Sequence, residues 1–419
     1  MRIIKKITNQ KTIIESFFSL SILNGLNVFL PLVTLPYILR VIGASNYGIY
    51  SFTYILIQYA VIITSYGFNF SATKQISQNR DNLTALTRIY NSVIVSKLIL
   101  ALFSFILLFT YYLFNQDAKK ELIMLLLGTG IVIGDIFIPV WLFQGLEKMR
   151  YLTFINLISK SIFTALIFII IKEADDFKYI IGLNSLGYLT AGLFSTILVH
   201  NTFNLKFRFP KKSEIIFQLK DGAALFGSFL GMELYRNANI FILRFFVSDA
   251  AVGIYAAAEK VIKGVQMGIS PIAQALFPHY SLKFSQQSVN SNIKTLKKIL
   301  INFGFIALLI SILTYITAPY LTQLLCGNGF ESSTKLIKIM SPVIFFGGIN
   351  YVLGIIGMVN LNKQNSFFKF VTLAGVISIS FVLITTNMLG NSSSAWAMTI
   401  SEFILSILCI IFLKKLSAI

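Results

Sequence analysis

Long apolar runs occur along the whole sequence, and they constrain the fold more than any other feature. A helix that crosses a bilayer needs about 20 mainly apolar residues, and the chain of 419 residues contains twelve such runs. Because these runs are long and lack the two-residue alternation of membrane strands, we predict an all-α integral membrane protein with about twelve transmembrane helices. Their predicted boundaries are 16–43, 47–71, 91–114, 121–143, 152–171, 179–199, 223–247, 250–277, 299–320, 336–359, 367–388 and 395–413.

The composition supports the bilayer as the solvent of this chain. Charged residues make up only 12% of the sequence and the mean hydropathy is +0.78, whereas soluble domains carry about 25% charged residues. The first run is predicted to be a span rather than a cleaved signal peptide, because it is long and contains Asn24, Asn27, Pro31 and Pro36. The runs nearly exhaust the chain, so no soluble domain is expected between them.

The positive charge of the chain is distributed unevenly between the two predicted faces. The net charge is +19, and nearly all of the excess falls on the loops that share one side with both termini. Basic loops mark the cytoplasmic side of membrane proteins, so we predict that both termini are cytoplasmic. This interpretation is favoured over nucleic-acid binding, although the same loops are suited to contact anionic lipid.

A short phrase occurs twice, about half the chain apart. Ile38–Arg40 is followed by Gly48–Tyr50, and Ile242–Arg244 is followed by Gly253–Tyr255, so both copies read Ile-Leu-Arg and then Gly-Ile-Tyr. The copies hold matching places in two six-span halves, which favours a parallel repeat over chance recurrence. We therefore predict two six-helix lobes, residues 1–210 and 211–419, related by a pseudo-two-fold axis along the membrane normal around a central cavity. The phrase itself could serve as a tight hairpin, with Gly for close packing and Arg snorkelling to the surface.

Ionisable residues inside the spans are costly, at about 2.5–3.5 kcal/mol each, and therefore informative. We interpret the basic members as anion-binding groups, because Arg and Lys offer several directed donors to phosphate. The acidic members are candidate ion-coupling groups, although pairs such as Glu259 with Lys263, one turn apart, could simply neutralise each other. Lys160 is expected to stand alone in the first half, and Lys97 is expected to snorkel out of the third span. The candidates are Lys160, Arg236, Lys260 and Lys263 for the substrate, and Asp135, Glu233 and Glu259 for coupling.

Polar residues in the first two spans provide a second indication. Asn24 and Asn27 share one helix face, and Gln58 lies in the second span. Amides of this kind suit hydroxyl-rich sugars, so Asn27 and Gln58 are candidate substrate-binding residues; polar contacts between helices are the alternative. Asp135, just before Pro139, could carry a coupling ion or pair with a lysine.

The sequence lacks the residues that several kinds of chemistry require. No nucleophile triad, metal-ligand spacing or phosphate-binding loop is present, so we predict neither an enzyme nor a cofactor, and ATP is not expected to drive the chain directly. Cys326 and Cys409 fall on different spans, which makes a disulfide an unattractive interpretation.

Long stretches of the sequence resemble one known family. They are GLNVFLPLVTLPYILRVIGASNYGIYSF (25–52), YGFNFSATKQIS (66–77), PVWLFQGLEKM (139–149), VGIYAAAEKVIKG (252–264) and PIAQALFPHYS (271–281). Together they resemble the polysaccharide transporter family, which comprises Wzx-type flippases of O-antigen and related glycans within the multidrug/oligosaccharidyl-lipid/polysaccharide flippase superfamily.

The resemblance implies a substrate, a mechanism and a location. Such proteins move an undecaprenyl-diphosphate-linked oligosaccharide from the cytoplasmic to the outer leaflet of the bacterial inner membrane by alternating access. Membrane lipids, a glycan polymerase and other assembly proteins are the implied partners. A cavity role is carried over only for Lys260 and Lys263, within AAAEKVIKG, and no binding role is transferred to Gln144 or Glu147.

Three other functions remain alternatives. A cation-coupled multidrug exporter of the same superfamily would need an acidic, aromatic cavity, whereas this interior is net basic. A membrane-embedded glycan polymerase or glycosyltransferase should show a large outer loop or a catalytic acid motif. A lipid II flippase usually carries two additional helices.

Overall fold

A computed structural model describes the backbone of residues 2–114, 121–285 and 288–417. Side chains are described in the same ranges except at 2–29, 224–225, 228–236, 268–279, 281–283, 285, 289 and 417. Within these ranges every regular element is helical. The α-helices are Arg2–Ser65 (α1), Phe68–Gln78 (α2), Leu83–Phe114 (α3), Leu122–Ile136 (α4), Val140–Gly145 (α5), Met149–Ile170 (α6), Phe177–Phe203 (α7), Lys212–Leu243 (α8), Asp249–Ser285 (α9), Val289–Leu321 (α10), Ser333–Met340 (α11), Pro342–Tyr351 (α12), Gln364–Leu389 (α13) and Ser392–Ser417 (α14).

Nine helical stretches of the described residues are long and apolar enough to cross a membrane. They are Leu30–Gln78, Leu83–Phe114, Leu122–Gly145, Met149–Ile170, Ala174–Phe203, Asn290–Cys326, Ser333–Val359, Gln364–Leu389 and Ser392–Leu416. The predicted spans at 16–43 and 250–277 fall within the long helices α1 and α9, and the span at 223–247 overlaps α8, which ends at Leu243. The predicted all-α integral membrane class is therefore confirmed, and the architecture is consistent with twelve helices.

A kink at Gly43 separates the first two predicted spans. Helix α1 contains 64 residues, and its helical geometry is interrupted only at Gly43, where φ is 71° and ψ is 175°. Glycine adopts this backbone conformation readily because it has no Cβ. The kink lies at the predicted end of the first span, residue 43.

Proline divides the fourth predicted span. Helix α4 ends at Ile136 and α5 begins at Val140, with Pro139 immediately before it. Pro139 has no N–H group, so it cannot donate to the carbonyl of Asp135, four residues earlier. The break leaves the Asp135 carbonyl oxygen available to another donor.

The chain divides into two compact units. The first unit consists of Met1–Thr34 with Thr53–Glu233, and the second consists of Leu35–Phe52 with Leu234–Ile419. The lobes predicted from the repeat, residues 1–210 and 211–419, stay a prediction.

The two copies of the repeated phrase lie in the second unit and pack against each other. A Cβ added to Gly48 would overlap the carbonyl oxygen of Asp249, and one added to Gly253 would overlap that of Ala44. Each added atom would also lie 2.9 Å from the backbone nitrogen of the opposite glycine. The contact is reciprocal, because Ala44 and Asp249 each lie four residues before a glycine. Small residues at this spacing let membrane helices approach backbone to backbone.

The two arginines of the phrase bind neighbouring groups in the second unit. Arg40 donates from Nη2 to the carbonyl oxygen of Leu324 at 2.7 Å. Arg244 places Nη1 3.1 Å from Asp249 Oδ1, and its guanidinium lies 5.7 Å from the centroid of the Phe52 ring. Both arginines therefore bind groups within the second unit, near the reciprocal glycine contact. These contacts are in addition to any snorkelling of the arginines to the membrane surface.

Arg80 holds the family-like segment between α5 and α6 in the first unit. Its Nε donates to the carbonyl oxygen of Gly145 at 2.7 Å, and Nη2 lies 2.7 Å from Glu147 Oε1. Glu147 has a φ of 58°, an unfavourable value for a residue with a side chain. The glutamate of QGLEKM therefore stabilises a turn.

Candidate functional site

A lysine and an aspartate form an ion pair inside the first unit. Lys97 on α3 places Nζ 3.0 Å from Asp135 Oδ2 and 3.0 Å from the Asp135 carbonyl oxygen. That carbonyl is the acceptor that Pro139 leaves without its usual helical donor, although the Ile138 N–H also reaches it at 3.2 Å. The Lys97 side chain is only 5% exposed. The prediction that Lys97 snorkels out of the membrane is therefore wrong, because the side chain reaches an internal carboxylate.

Close packing of α4 against α7 positions this pair. A Cβ on Gly134 would overlap the backbone carbonyl of Tyr188, and one on Gly192 would lie 2.8 Å from the carbonyl oxygen of Gly134. Because Gly134 and Gly192 have no side chains, the backbones of α4 and α7 can contact each other directly. The packing brings Asp135, the residue after Gly134, into electrostatic contact with the Tyr188 side chain.

Lys160 lies beside the same pair. Its Nζ is 4.6 Å from the centroid of the Tyr188 ring, and it interacts electrostatically with Asp135. A lysine over an aromatic face is stabilised by the negative potential of the ring. The sequence led us to expect that Lys160 stands alone, and this expectation is wrong. Lys160 belongs to a cluster of two lysines, one carboxylate and one tyrosine. We call it the Asp135 cluster (Lys97, Asp135, Lys160 and Tyr188).

Gln58 supplies a hydrogen-bond donor in the first unit. Its Nε2 is buried and has no hydrogen-bond partner within the part of the chain that the structure describes. A buried amide without a partner is uncommon and needs an explanation. Tyr54, one turn earlier on α1, interacts electrostatically with Tyr188 of the Asp135 cluster.

The second unit contains a cluster of two lysines and one carboxylate on α9. Lys263 Nζ lies 3.1 Å from Glu259 Oε1, and the side chains are 41% and 8% exposed, respectively. Lys260 interacts electrostatically with both. We call these three residues the Glu259 cluster. The structure pairs Glu259 with Lys263, as their i,i+4 spacing predicts, and the pair neutralises only one of the two cations.

Three predicted site residues lie outside the described side chains. These are Asn27, Glu233 and Arg236, which belong to α1 and α8. Their assignments stay predictions.

Sequence reasoning missed a polar group that surrounds Glu402 in the second unit. Asn350 donates from Nδ2 to Glu402 Oε2 at 2.6 Å, and its Oδ1 accepts from Ser406 Oγ at 2.8 Å. Asn350 lies two residues before a π-type segment, Val352–Val359; such bulges occur frequently at functional sites. The sequence signal was available, since Asn350 interrupts an apolar run, but nothing in the spacing pairs it with Glu402.

Both cysteines, Cys326 and Cys409, are buried as free thiols. No group of three or more histidine, cysteine, aspartate or glutamate side chains suited to a metal occurs among the residues described.

A sequence profile described as "Polysaccharide biosynthesis protein" matches residues 13–282 of the chain. The chain belongs to this family. Two curated relatives carry the printed name "Putative O-antigen transporter". The relative from Escherichia coli (strain K12) is 28% identical over 409 residues, covering 97% of this chain and 98% of its own length. The relative from Shigella dysenteriae is 24% identical over 402 residues, covering 96% and 99%.

Solved structures show the same fold at low sequence identity. An inward-facing multidrug resistance MATE family transporter of the MOP superfamily superposes with a TM-score of 0.71 and 13% identity, covering 96% of this chain and 98% of that one. The lipid II flippase MurJ, in an inward closed conformation, gives a TM-score of 0.70 and 12% identity, covering 96% and 87%. This member of the polysaccharide biosynthesis family thus has a transporter fold, and its relatives are named transporters rather than enzymes. The family and fold predicted from the sequence motifs are confirmed, and the chain is a multi-pass membrane protein.

Proposed function

We propose that this chain is a flippase that moves an undecaprenyl-diphosphate-linked oligosaccharide from the cytoplasmic to the outer leaflet by alternating access. The observation that carries the proposal is an excess of lysine over carboxylate within one described cluster of each unit. The Asp135 cluster and the Glu259 cluster each contain two lysines and one carboxylate. The names of the curated relatives support a glycan substrate.

The two clusters suit a diphosphate better than they suit a cationic drug. In each, one lysine is neutralised by a carboxylate at about 3 Å, and the second lysine adds a further positive charge. We assign the second lysines, Lys160 and Lys260, to the diphosphate, with Lys263 and Arg236 as further anion-binding groups. Charge-assisted bonds to phosphate are among the strongest hydrogen bonds that proteins make. The central cavity predicted from the sequence is the proposed location of this contact.

The carboxylates have a separate role in the proposal. Asp135 and Glu259 neutralise a lysine in the absence of substrate, and a diphosphate would compete with them for the same cations. Protonation or ion binding at Asp135, Glu233 or Glu259 would release a lysine to the substrate, which couples transport to an ion gradient. Gln58 and Asn27 are proposed to donate hydrogen bonds to sugar hydroxyls, and the lipid tail remains in the bilayer.

Location and partners follow from the same proposal. The chain would lie in the bacterial inner membrane with both termini in the cytoplasm. Membrane lipids surround it, and a glycan polymerase and other assembly proteins would receive the product on the outer side.

The decisive experiment is deletion of the gene followed by analysis of lipid-linked glycan. Repeat units linked to undecaprenyl diphosphate should accumulate on the inner leaflet, and surface glycan should disappear. Complementation with the wild-type gene should restore it. If surface glycan persists while sensitivity to cationic drugs rises, the chain is instead a multidrug exporter.

Replacing Lys160 by alanine should strongly reduce transport. Loss of one charge-assisted hydrogen bond costs about 2 kcal/mol, which corresponds to roughly a 30-fold weaker interaction with the diphosphate. The measurement is surface glycan in the deletion strain at equal membrane abundance of the variant. Lys178 is the matched control, because its Nζ also lies over a tyrosine ring, 5.4 Å from the centroid of Tyr179, at the start of α7.

The comparison between the two lysines decides the role of Lys160. Lys178→Ala should transport normally, and Lys160→Arg should retain partial activity because it keeps the charge. Wild-type surface glycan in Lys160→Ala would remove this residue from the binding site. Lys260→Ala and Arg236→Ala test the other two assignments in the same assay.

The exporter alternative has one specific observation in its favour, the similarity of the fold to a multidrug resistance transporter. That similarity does not distinguish the two functions, since MurJ superposes almost equally well. A cationic drug would need an excess of carboxylate, and both described clusters have an excess of lysine. The polymerase or glycosyltransferase alternative has no relative among the curated matches named above.

A further inference from the structure

A basic cavity lies at the ends of two membrane-spanning stretches in the first unit. It measures about 500 Å³ and is formed by the first turns of α3 together with the connector between α7 and α8. Its charged lining residues are Arg88, Lys206, Arg208 and Glu214. The spans Leu83–Phe114 and Ala174–Phe203 begin and end at this cavity, so it lies at the boundary between the bilayer and water.

The cavity is positively charged because its one acidic residue is already neutralised. Arg88 Nε lies 3.2 Å from Glu214 Oε1, and the backbone N–H of Lys211 donates to Glu214 Oε2 at 2.8 Å. The three cationic side chains therefore exceed the single carboxylate by two charges. Lys206 and Arg208 lie on the exposed connector, where they can reach an anion in the cavity.

A buried amide fixes the connector and leaves an acceptor without a partner. Asn91 is 1% exposed and donates from Nδ2 to the carbonyl oxygens of Thr87 at 2.8 Å and Lys206 at 3.0 Å. Its Oδ1 has no hydrogen-bond partner among the described residues, although Asn91 lines the cavity. The amide thus fixes the connector backbone at Lys206 beside the cavity.

Two exposed phenylalanines lie beside the cavity. Phe207 and Phe209 alternate with Lys206 and Arg208 along the connector, and they are 61% and 80% exposed. Their rings contact each other edge to face, with centroids 5.1 Å apart. Leu205, which is buried, anchors the start of the connector. Exposed aromatic residues among cationic ones are typical of segments that lie in the membrane interface.

We infer that this cavity binds the headgroup of an anionic phospholipid, of the phosphatidylglycerol type. The phosphodiester would be held by Arg208, Lys206 and the donors of Arg88 that Glu214 does not occupy. The acyl chains would pack along Phe207 and Phe209. Polybasic segments at a membrane surface gain about 1 kcal/mol for each basic residue near anionic lipid.

The test is lipid binding by the purified full-length protein, measured by native mass spectrometry during titration with phosphatidylglycerol or phosphatidylcholine. The variant is Lys206→Gln with Arg208→Gln. The matched control is Lys414→Gln with Lys415→Gln, two exposed lysines in the last turn of α14. The cavity variant should bind phosphatidylglycerol at least about tenfold more weakly than the wild type. The control should bind it normally, and weak binding of phosphatidylcholine should be unaffected.

Two further measurements separate a lipid from a soluble anion. Replacing Phe207 and Phe209 by serine should also weaken phosphatidylglycerol binding, since the acyl chains lose their contact. Inorganic phosphate at millimolar concentration should fail to displace the lipid. Equal binding by the cavity variant and the wild type would overturn the inference. So would complete displacement by phosphate combined with no effect of the serine substitutions.

This inference is independent of the proposed transport function. The assay contains no glycan substrate and reads out lipid binding only. Failure of the lipid-binding test would leave the transport proposal standing, and failure of the gene-deletion test would leave the lipid-binding inference standing.

Discussion

Replacing Gly253 by leucine is expected to prevent stable folding of the second unit. The added side chain would occupy the position of the Ala44 carbonyl oxygen, where an added Cβ already overlaps. Backbone atoms cannot rotate away as a flexible side chain can, so the two helices must separate. Overpacking in a tight core costs about 3 kcal/mol at the upper end of its usual range. The measurement is the thermal unfolding midpoint of the purified protein in detergent, together with its abundance in the membrane.

The reciprocal geometry provides an internal test of this result. Gly48→Ala and Gly253→Ala should each destabilise the protein, but the double variant should cost clearly less than the sum, because the first substitution already separates the helices. Gly304→Ala is the control, since its added Cβ would meet only Phe345 at 3.9 Å and Ile349 at 4.0 Å. Additive effects would mean that the two glycines do not share one contact.

Replacing Lys97 by methionine should destabilise the first unit by about 3 kcal/mol. The substitution removes the partner of a partly buried carboxylate, and an uncompensated buried charge is costly. The Asp135 carbonyl oxygen also loses a donor, although the Ile138 N–H remains. Lys160 remains in electrostatic contact with Asp135, which limits the loss. The measurement is unfolding in detergent, read out by loss of the native monomer peak on size-exclusion chromatography.

A second substitution distinguishes a structural ion pair from a coupling group. Lys97→Met combined with Asp135→Leu removes both charges and should restore most of the lost stability, because replacing both partners by apolar groups is often neutral. If Asp135 couples transport to an ion, this stable double variant should still fail to display surface glycan. Full transport by the double variant would assign the pair to stability alone. No recovery of stability would contradict the ion-pair explanation itself.

The sequence predicts those features that depend on local pattern. Apolar runs located the spans, and the i,i+4 spacing predicted the pairing of Glu259 with Lys263. In both cases the relevant neighbours are within a few positions in the chain, where the geometry of a helix is known in advance. The kink at Gly43 likewise lies where the apolar pattern ends the first predicted span.

The predictions that failed depended on contacts between distant helices. Lys97 was expected to reach the surface because it lies near the end of a span, but Asp135 on another helix offers a closer partner. Lys160 was expected to be alone, but the packing of α4 against α7 places Asp135 and Tyr188 beside it. These contacts follow from close approach at Gly134 and Gly192, and no spacing rule connects those positions to Lys160.

The reciprocal glycine contact has a consequence for synthesis of the chain. Residues 35–52 belong to the second unit, although Asp249 and Gly253, which they contact, follow about 200 residues later. At 5–20 residues per second, a ribosome needs about 10–40 s to make the intervening segment. During that interval the bare backbone around Gly48 lies in the membrane before its partner exists. The first unit is therefore inserted while this helix contact is still incomplete. The contact can form only after the eighth predicted span has been synthesised.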